Sequence, residues 1–78
     1  MDITTQDRIV AAANRLGWTP KNDSHYGGMV FTRRSRKVWV TFDVRGRIAA
    51  ASEQTGSYGG RRIEGRDRAG RVLASLAR

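Results

Sequence analysis

Arg33, Arg34 and Arg36 crowd the turn of the segment FTRRSRKVWVTFD, and Arg61, Arg62 and Arg66 crowd a second stretch downstream. A guanidinium is a planar fork of donors that matches a phosphate in bidentate fashion, and each phosphate it neutralises releases counterions. The chemistry on offer is polyanion binding. A formal net charge of +8 and a sequence pI of about 11.5 agree with that. Of the 15 basic residues all but Lys21 and Lys37 are arginine, and an excess of Arg, Ala and Gly is also what a GC-rich genome produces. Where the arginines sit therefore carries more weight than how many there are.

Catalytic chemistry finds less to work with. His25 is the single imidazole and lies in a polar stretch, and the seven acids are Asp2, Asp7, Asp23, Asp43, Glu53, Glu64 and Asp67. No two of these acids are spaced for paired acid and base roles. With one histidine and no cysteine there is no nitrogen or sulfur metal site and no disulfide. Neither YGG stretch has the lysine and hydroxyl that a phosphate-binding P-loop needs. The expectation is a binding protein without cofactor or metal. No apolar run approaches the roughly 20 residues that cross a bilayer, and MDITTQDRIV lacks a basic region followed by an apolar one. A soluble, cytoplasmic chain is expected.

The elements that must position these groups can be read in order. Thr4 followed by Asp7 makes a capping box, Ile9, Val10, Ala13 and Leu16 recur at helical spacing, and Gly17 ends the run, which predicts a helix from about Thr5 to Leu16. WTPKNDSHYGG is rich in turn formers and reads as a loop, with at most a short extended piece at Trp18 and Thr19. A two-residue turn at Arg34 and Ser35 then pairs Phe31 with Val38, Met29 with Val40 and Val30 with Trp39. A second turn around Gly46 pairs Asp43 with Arg47, Phe42 with Ile48, Val40 with Ala50 and Lys37 with Glu53. A last helix, beginning between Arg62 and Asp67, carries the stripe Ala69, Val72, Leu73, Leu76 and Ala77, weakened by Gly65 and Gly70.

The fold expected over residues 1–78 is a single α+β domain of order α-β-β-β-α. Its three-stranded antiparallel meander carries both helices on the face of Met29, Phe31, Val38, Val40, Phe42 and Ile48. That register has two consequences. The hairpin tip with Arg33, Arg34 and Arg36 should approach Arg61, Arg62 and Arg66 near the start of the second helix, where free backbone N–H groups also favour an anion. The opposite face is left open with Val30, Trp39, Ala49 and Ala51 in an apolar row, flanked by Thr32, Lys37 and Thr41. A solvated rim of arginines is the plainer alternative for the first cluster. For the second, the row stacks bases, meets a protein, most simply a second copy of the chain, or has Trp39 covered by the WTPKNDSHYGG loop.

The element order and the basic groups resemble a double-stranded-RNA-binding domain. That resemblance implies a grip on duplex by shape through the first hairpin loop and the second-helix N-terminus. The family's lysine-rich signature is replaced here by RDRAGR, Arg66 to Arg71. Leu16, Gly17 and Trp18 followed by Asp23, Ser24 and His25 are similar to the pattern of HicA-type toxins, in which a helix is followed by GW and then Gly-Ser-His. On that resemblance His25 would be the catalytic acid or base of an RNase, although Asp23 stands in place of the glycine. The short, arginine-rich style with GW after the first helix also resembles accessory proteins of phages that infect GC-rich actinobacteria. This implies action in the host cytoplasm on a host or phage protein.

The reading that follows is a small basic protein that binds duplex or structured RNA or DNA through backbone phosphates with little sequence readout. Arg33, Arg34, Arg36, Arg61, Arg62 and Arg66 are its expected contacts. The alternative is a protein-interaction module that uses Val30, Trp39, Ala49 and Ala51, and the third reading is the RNase centred on His25.

Overall fold

Two helices packed on one face of an open antiparallel sheet form the protein in a computed structural model that describes residues 3–23, 28–56 and 60–78. The order is α1 (Thr5–Arg15), β1 (Thr19–Asp23), β2 (Gly28–Arg33), β3 (Arg36–Phe42), β4 (Ile48–Thr55), β5 (Arg61–Arg62) and α2 (Arg68–Ala77). This is the expected α+β class with the expected meander at its centre. The meander is extended on each edge, so the sheet runs β1-β2-β3-β4-β5. β1 forms where turn-prone residues had predicted a loop, because Lys21, Asn22 and Asp23 find ladder partners in Val30, Met29 and Gly28. Pro20, which has no N–H to donate, is tolerated because β1 is an edge strand.

The start of α1 follows from its sequence. Thr4 Oγ1 accepts from the Asp7 N–H at 3.1 Å and the Asp7 carboxylate accepts from the Thr4 N–H at 3.2 Å, which closes the capping box. At the other end Trp18 N–H bonds to the Ala13 carbonyl and Gly17 N–H to that of Asn14, with Gly17 at φ +84°. That is the Schellman arrangement, and it turns Trp18 back under the helix. α2 begins at Asp67, whose carboxylate accepts from the Gly70 N–H at 3.1 Å. A side chain at Gly70 would collide with that carboxylate, so the glycine that weakens the helix intrinsically also makes room for its cap.

Ile9 and Ala13 of α1 meet Val72 and Leu76 of α2 over Phe31, Val38, Val40 and Ala51 of the sheet, and Trp18 and Ile63 close the two ends. Burial of each large apolar side chain in such a core contributes about 1.5–3 kcal/mol. The register of β2 with β3 is as read, with Met29 opposite Val40, Val30 opposite Trp39 and Phe31 opposite Val38.

The second hairpin keeps the predicted register only at its turn. Asp43 pairs with Arg47 at 3.2 Å and Phe42 lies opposite Ile48. Between Thr41 and Phe42 the ladder then slips by one residue, with Ala49 as the extra residue on β4. Ala51 comes opposite Val40 and Glu53 opposite Val38, both facing the helices, while Ala50, Ser52 and Gln54 take the outward positions. The expected Lys37 and Glu53 pair is therefore replaced by Lys37 opposite Gln54.

The turn itself is held by Asp43, which accepts from the N–H groups of Arg45 and Arg47 at 2.8 and 3.0 Å. The Arg47 N–H, more than any other group, holds the Asp43 carboxyl below its usual range. Gly46 sits at φ +77°, its carbonyl accepts from the Gln6 N–H at 3.0 Å, and an added Cβ would stand 2.9 Å from Thr4 Cβ. Gly46→Ala should therefore strain both the turn and the helix cap. A left-handed alanine alone costs about 1–2 kcal/mol, which in a domain this small lowers the melting temperature by roughly 5–15 °C. Thermal unfolding followed by circular dichroism tests this, and an unchanged midpoint would contradict the packing of the turn on α1.

Candidate functional site

The arginines of the hairpin tip do not face one way. Alternation along β2 and β3 sends Arg33 and Arg36 to the helix side and leaves Arg34 exposed at the turn, at φ +57°. Both helices run from the Gly46 end of the sheet to the Arg34 end. α1 starts against Gly46 and α2 starts where Arg68 donates to the Ala49 carbonyl at 2.9 Å. Their C-terminal carbonyls thus arrive together at the hairpin tip. Arg33 donates to the Leu16 carbonyl at 3.0 Å and to that of Arg78 at 3.3 Å, and Arg36 donates to the Arg78 carbonyl at 3.2 Å. Two negative helix ends are met by two cations, which is the favourable pairing.

Trp18 lies between these groups. It is 3% exposed, its indole N–H donates to the Leu76 carbonyl at 2.8 Å, and the Arg33 and Arg36 guanidinium carbons lie 5.5 and 5.2 Å from its ring centre. Arg36 also donates to the buried Ser75 hydroxyl at 3.1 Å and stands 3.7 Å from the Glu53 carboxylate, to which Ser75 donates in turn. Arg33 and Arg36 are thus tied into the fold, and the slip at Ala49 is what brought Glu53 to Arg36.

The expected gathering of six cations is corrected by β5. This short strand runs back down the sheet, Arg61 opposite Glu53 and Arg62 opposite Ser52, so α2 starts at the far end from the tip. Arg61 takes a helix-side position on β5 and is exposed, Arg62 takes the outward one, and Arg66 is exposed in the connection to α2. Arg34, Arg62 and Arg66 therefore lie in separate places.

The outward face assembles a different site. Directly opposed residues make one row across all five strands, Lys21, Val30, Trp39, Ser52 and Arg62. At the usual strand spacing of about 4.8 Å the row is roughly 19 Å long. Thr19, Thr32, Lys37 and Gln54 form the row beside it towards the tip. From β2 to β5 no outward position is acidic. Trp39 and Val30 are half-buried at the centre. A recess of about 390 Å³ opens beside the indole, bounded by Thr41, Ala50, Ser52, Gln54 and Arg62. Glu64 approaches the Arg62 guanidinium at 3.4 Å, but both side chains are about two-thirds exposed or more, and such a pair contributes little and exchanges readily.

No family model, curated protein or solved structure matches the chain.

Of the four residues expected in the apolar row, Val30 and Trp39 stand on the open face, Ala49 is exposed in the bulge, and Ala51 is in the core at 5% exposure. A row that passes from Trp39 to Ser52 rather than to Ala51 is more polar than the sequence predicted. Lys21, Ser52 and Gln54 were missed. The alternation Thr19, Lys21 and Ser52, Gln54 was the available signal, hidden by turn-prone residues in one case and by the run of alanines in the other. His25 lies outside the described residues. Among the described residues no group of three or more His, Asp or Glu could hold a metal ion, and no helix is long and apolar enough to cross a membrane.

Proposed function

We propose that the chain binds nucleic acid through its backbone phosphates, with little sequence readout, on the open face of the sheet rather than at the hairpin tip. The row Lys21, Val30, Trp39, Ser52 and Arg62 carries this reading, because it sets a cation at each end of an open sheet face with an aromatic ring at its centre. Lys37 adds a third cation beside the ring and hydroxyls fill the space between. A polyanion gains from each of these contacts by counterion release, and the net charge of +8 steers it in.

The test is a salt series with labelled oligonucleotides. Log affinity should fall with log salt by about 0.7–0.9 per phosphate contacted. The double variant Lys21→Glu and Arg62→Glu should flatten that slope by one to two such contacts while leaving the melting temperature within a few degrees of the parent, because both groups are exposed. No binding at low salt, or an unchanged slope in the variant, would end the proposal.

A second reading, a protein-interaction module for a host or phage protein or a second copy, is favoured by the adjacency of Val30 and Trp39. It requires an association that Trp39→Ala abolishes and that persists at high salt, where phosphate binding is lost.

A further inference from the structure

We propose that the nucleic acid on this face is a single strand and that one of its bases stacks on Trp39 in the recess between β3, β4 and β5. The inference rests on the phosphate-binding reading above and names the form of its ligand.

Dimensions argue first. A five-stranded face spanning roughly 19 Å is broader than the major groove of about 12 Å, which admits a helix or a two-stranded ribbon, so against an undeformed duplex it would rest on the backbones. The element narrow enough to enter a groove is the hairpin tip, and two of its three arginines are bound to Leu16, Ser75 and Arg78 instead. Against a duplex the face would offer Lys21, Lys37 and Arg62 to phosphates and leave Trp39 idle.

A single strand uses the whole surface. Its bases are free to splay, and an aromatic ring on a sheet gives each a π-face that every base can meet, whatever the sequence. Trp39 lies on the central strand, with the small outward residues Ala50 and Ser52 beside it on β4. Those small side chains leave the recess of about 390 Å³ against the indole, with Thr41, Ser52 and Gln54 around it to satisfy polar edges. Lys21 and Arg62 stand two strands to either side, roughly 10 Å away, where the phosphates flanking the stacked base would pass. Charge complementarity between this row and a sugar-phosphate chain is what selects the occupant over an uncharged protein surface.

Fluorescence anisotropy with three labelled probes tests the inference: a thymidine oligonucleotide about a dozen nucleotides long, an abasic strand of the same length, and a duplex of the same length. The intact single strand should bind about tenfold or more tighter than the other two, by the usual contribution of one stacked base. Trp39→Ala should remove that margin and leave the abasic strand's affinity unchanged, and Trp39→Phe, which keeps a π-face, should restore most of it. Melting temperatures of both variants establish that they are folded.

Equal binding of intact and abasic strands, or a duplex bound as tightly as the single strand, overturns the inference. So does a Trp39→Ala variant that keeps the full margin, or one that only dissolves a dimer and thereby assigns the face to a second copy. If an abasic strand binds with a salt slope while the intact strand gains nothing over it, stacking fails and phosphate binding stands. Absence of binding by all three probes at low salt brings down both.

Discussion

Trp18→Ala is expected to leave the domain largely unfolded at 25 °C, whereas Trp39→Ala should leave it folded. Trp18 is 3% exposed and fills the junction between the C-terminal ends of both helices and the hairpin tip. Loss of a buried tryptophan costs about 3–5 kcal/mol, and a core of this size seldom supplies more than that in total. Its removal also strips a donor from the Leu76 carbonyl, one of the helix-end acceptors without a partner inside α2, and the ring surface from two guanidinium groups. Trp18→Phe separates these contributions. It keeps most of the volume and orphans the carbonyl, which should cost about 1–3 kcal/mol. Urea denaturation read by far-ultraviolet circular dichroism provides the measurement. A Trp18→Ala protein that melts cooperatively within a few degrees of the parent would show that this junction is not where the fold is held.

Arg36→Met should destabilise the fold by about 3 kcal/mol without weakening nucleic-acid affinity per folded molecule. The side chains of Arg36 and Glu53 are 18% and 15% exposed, and the Ser75 hydroxyl between them is buried. Removal of the cation leaves the carboxylate facing the helices with Ser75 alone, and the Arg78 carbonyl with one arginine instead of two. Truncation of one partner in such a cluster costs more than replacement of both, because the survivor keeps its desolvation penalty. The double variant Arg36→Met and Glu53→Met should therefore recover part of the loss, with a coupling of about 1–3 kcal/mol in a double-mutant cycle. Additive losses would mean that Arg36 acts through Trp18 and the helix ends and not through Glu53. An Arg36→Met protein of parental stability that no longer binds oligonucleotides would return this arginine to the phosphate site.

The two tryptophans and the two groups of arginines show how far a sequence can be read here. Caps, helix stops and tight turns, which depend on neighbours within about five residues, were legible. The Thr4 and Asp7 capping box, the Gly17 stop, the turn at Arg34 and Ser35, and the pairing of Asp43 with Arg47 are local, and each stands where its residues predict. Alternation placed Phe31, Val38 and Val40 inside and Trp39 outside, because period two leaves a strand only two choices.

The stretch Ala49 to Ser52 broke that logic. Four small residues in succession carry no alternation, so nothing in them marks which one is extra, and the bulge at Ala49 exchanged the faces of every residue after it. Ala51 and Glu53 went inward, and Ser52 and Gln54 came out. An inward carboxylate would be rejected on local grounds. It is acceptable because Arg36 from β3 and Ser75 from α2 are waiting for it.

By itself, then, the amino-acid sequence determined both helices and the three central strands, the caps, the Arg34–Ser35 hairpin and a strongly basic surface, but neither edge strand. Tertiary structure alone decided which cations remain free. The two-residue strand β5 reversed the chain and set the C-terminal end of α2 beside that of α1, so the negative ends of two helices claimed Arg33 and Arg36. That outcome depends on the relative direction of elements more than 30 residues apart, as in the 45 residues between Arg33 and Arg78, and no local periodicity encodes it.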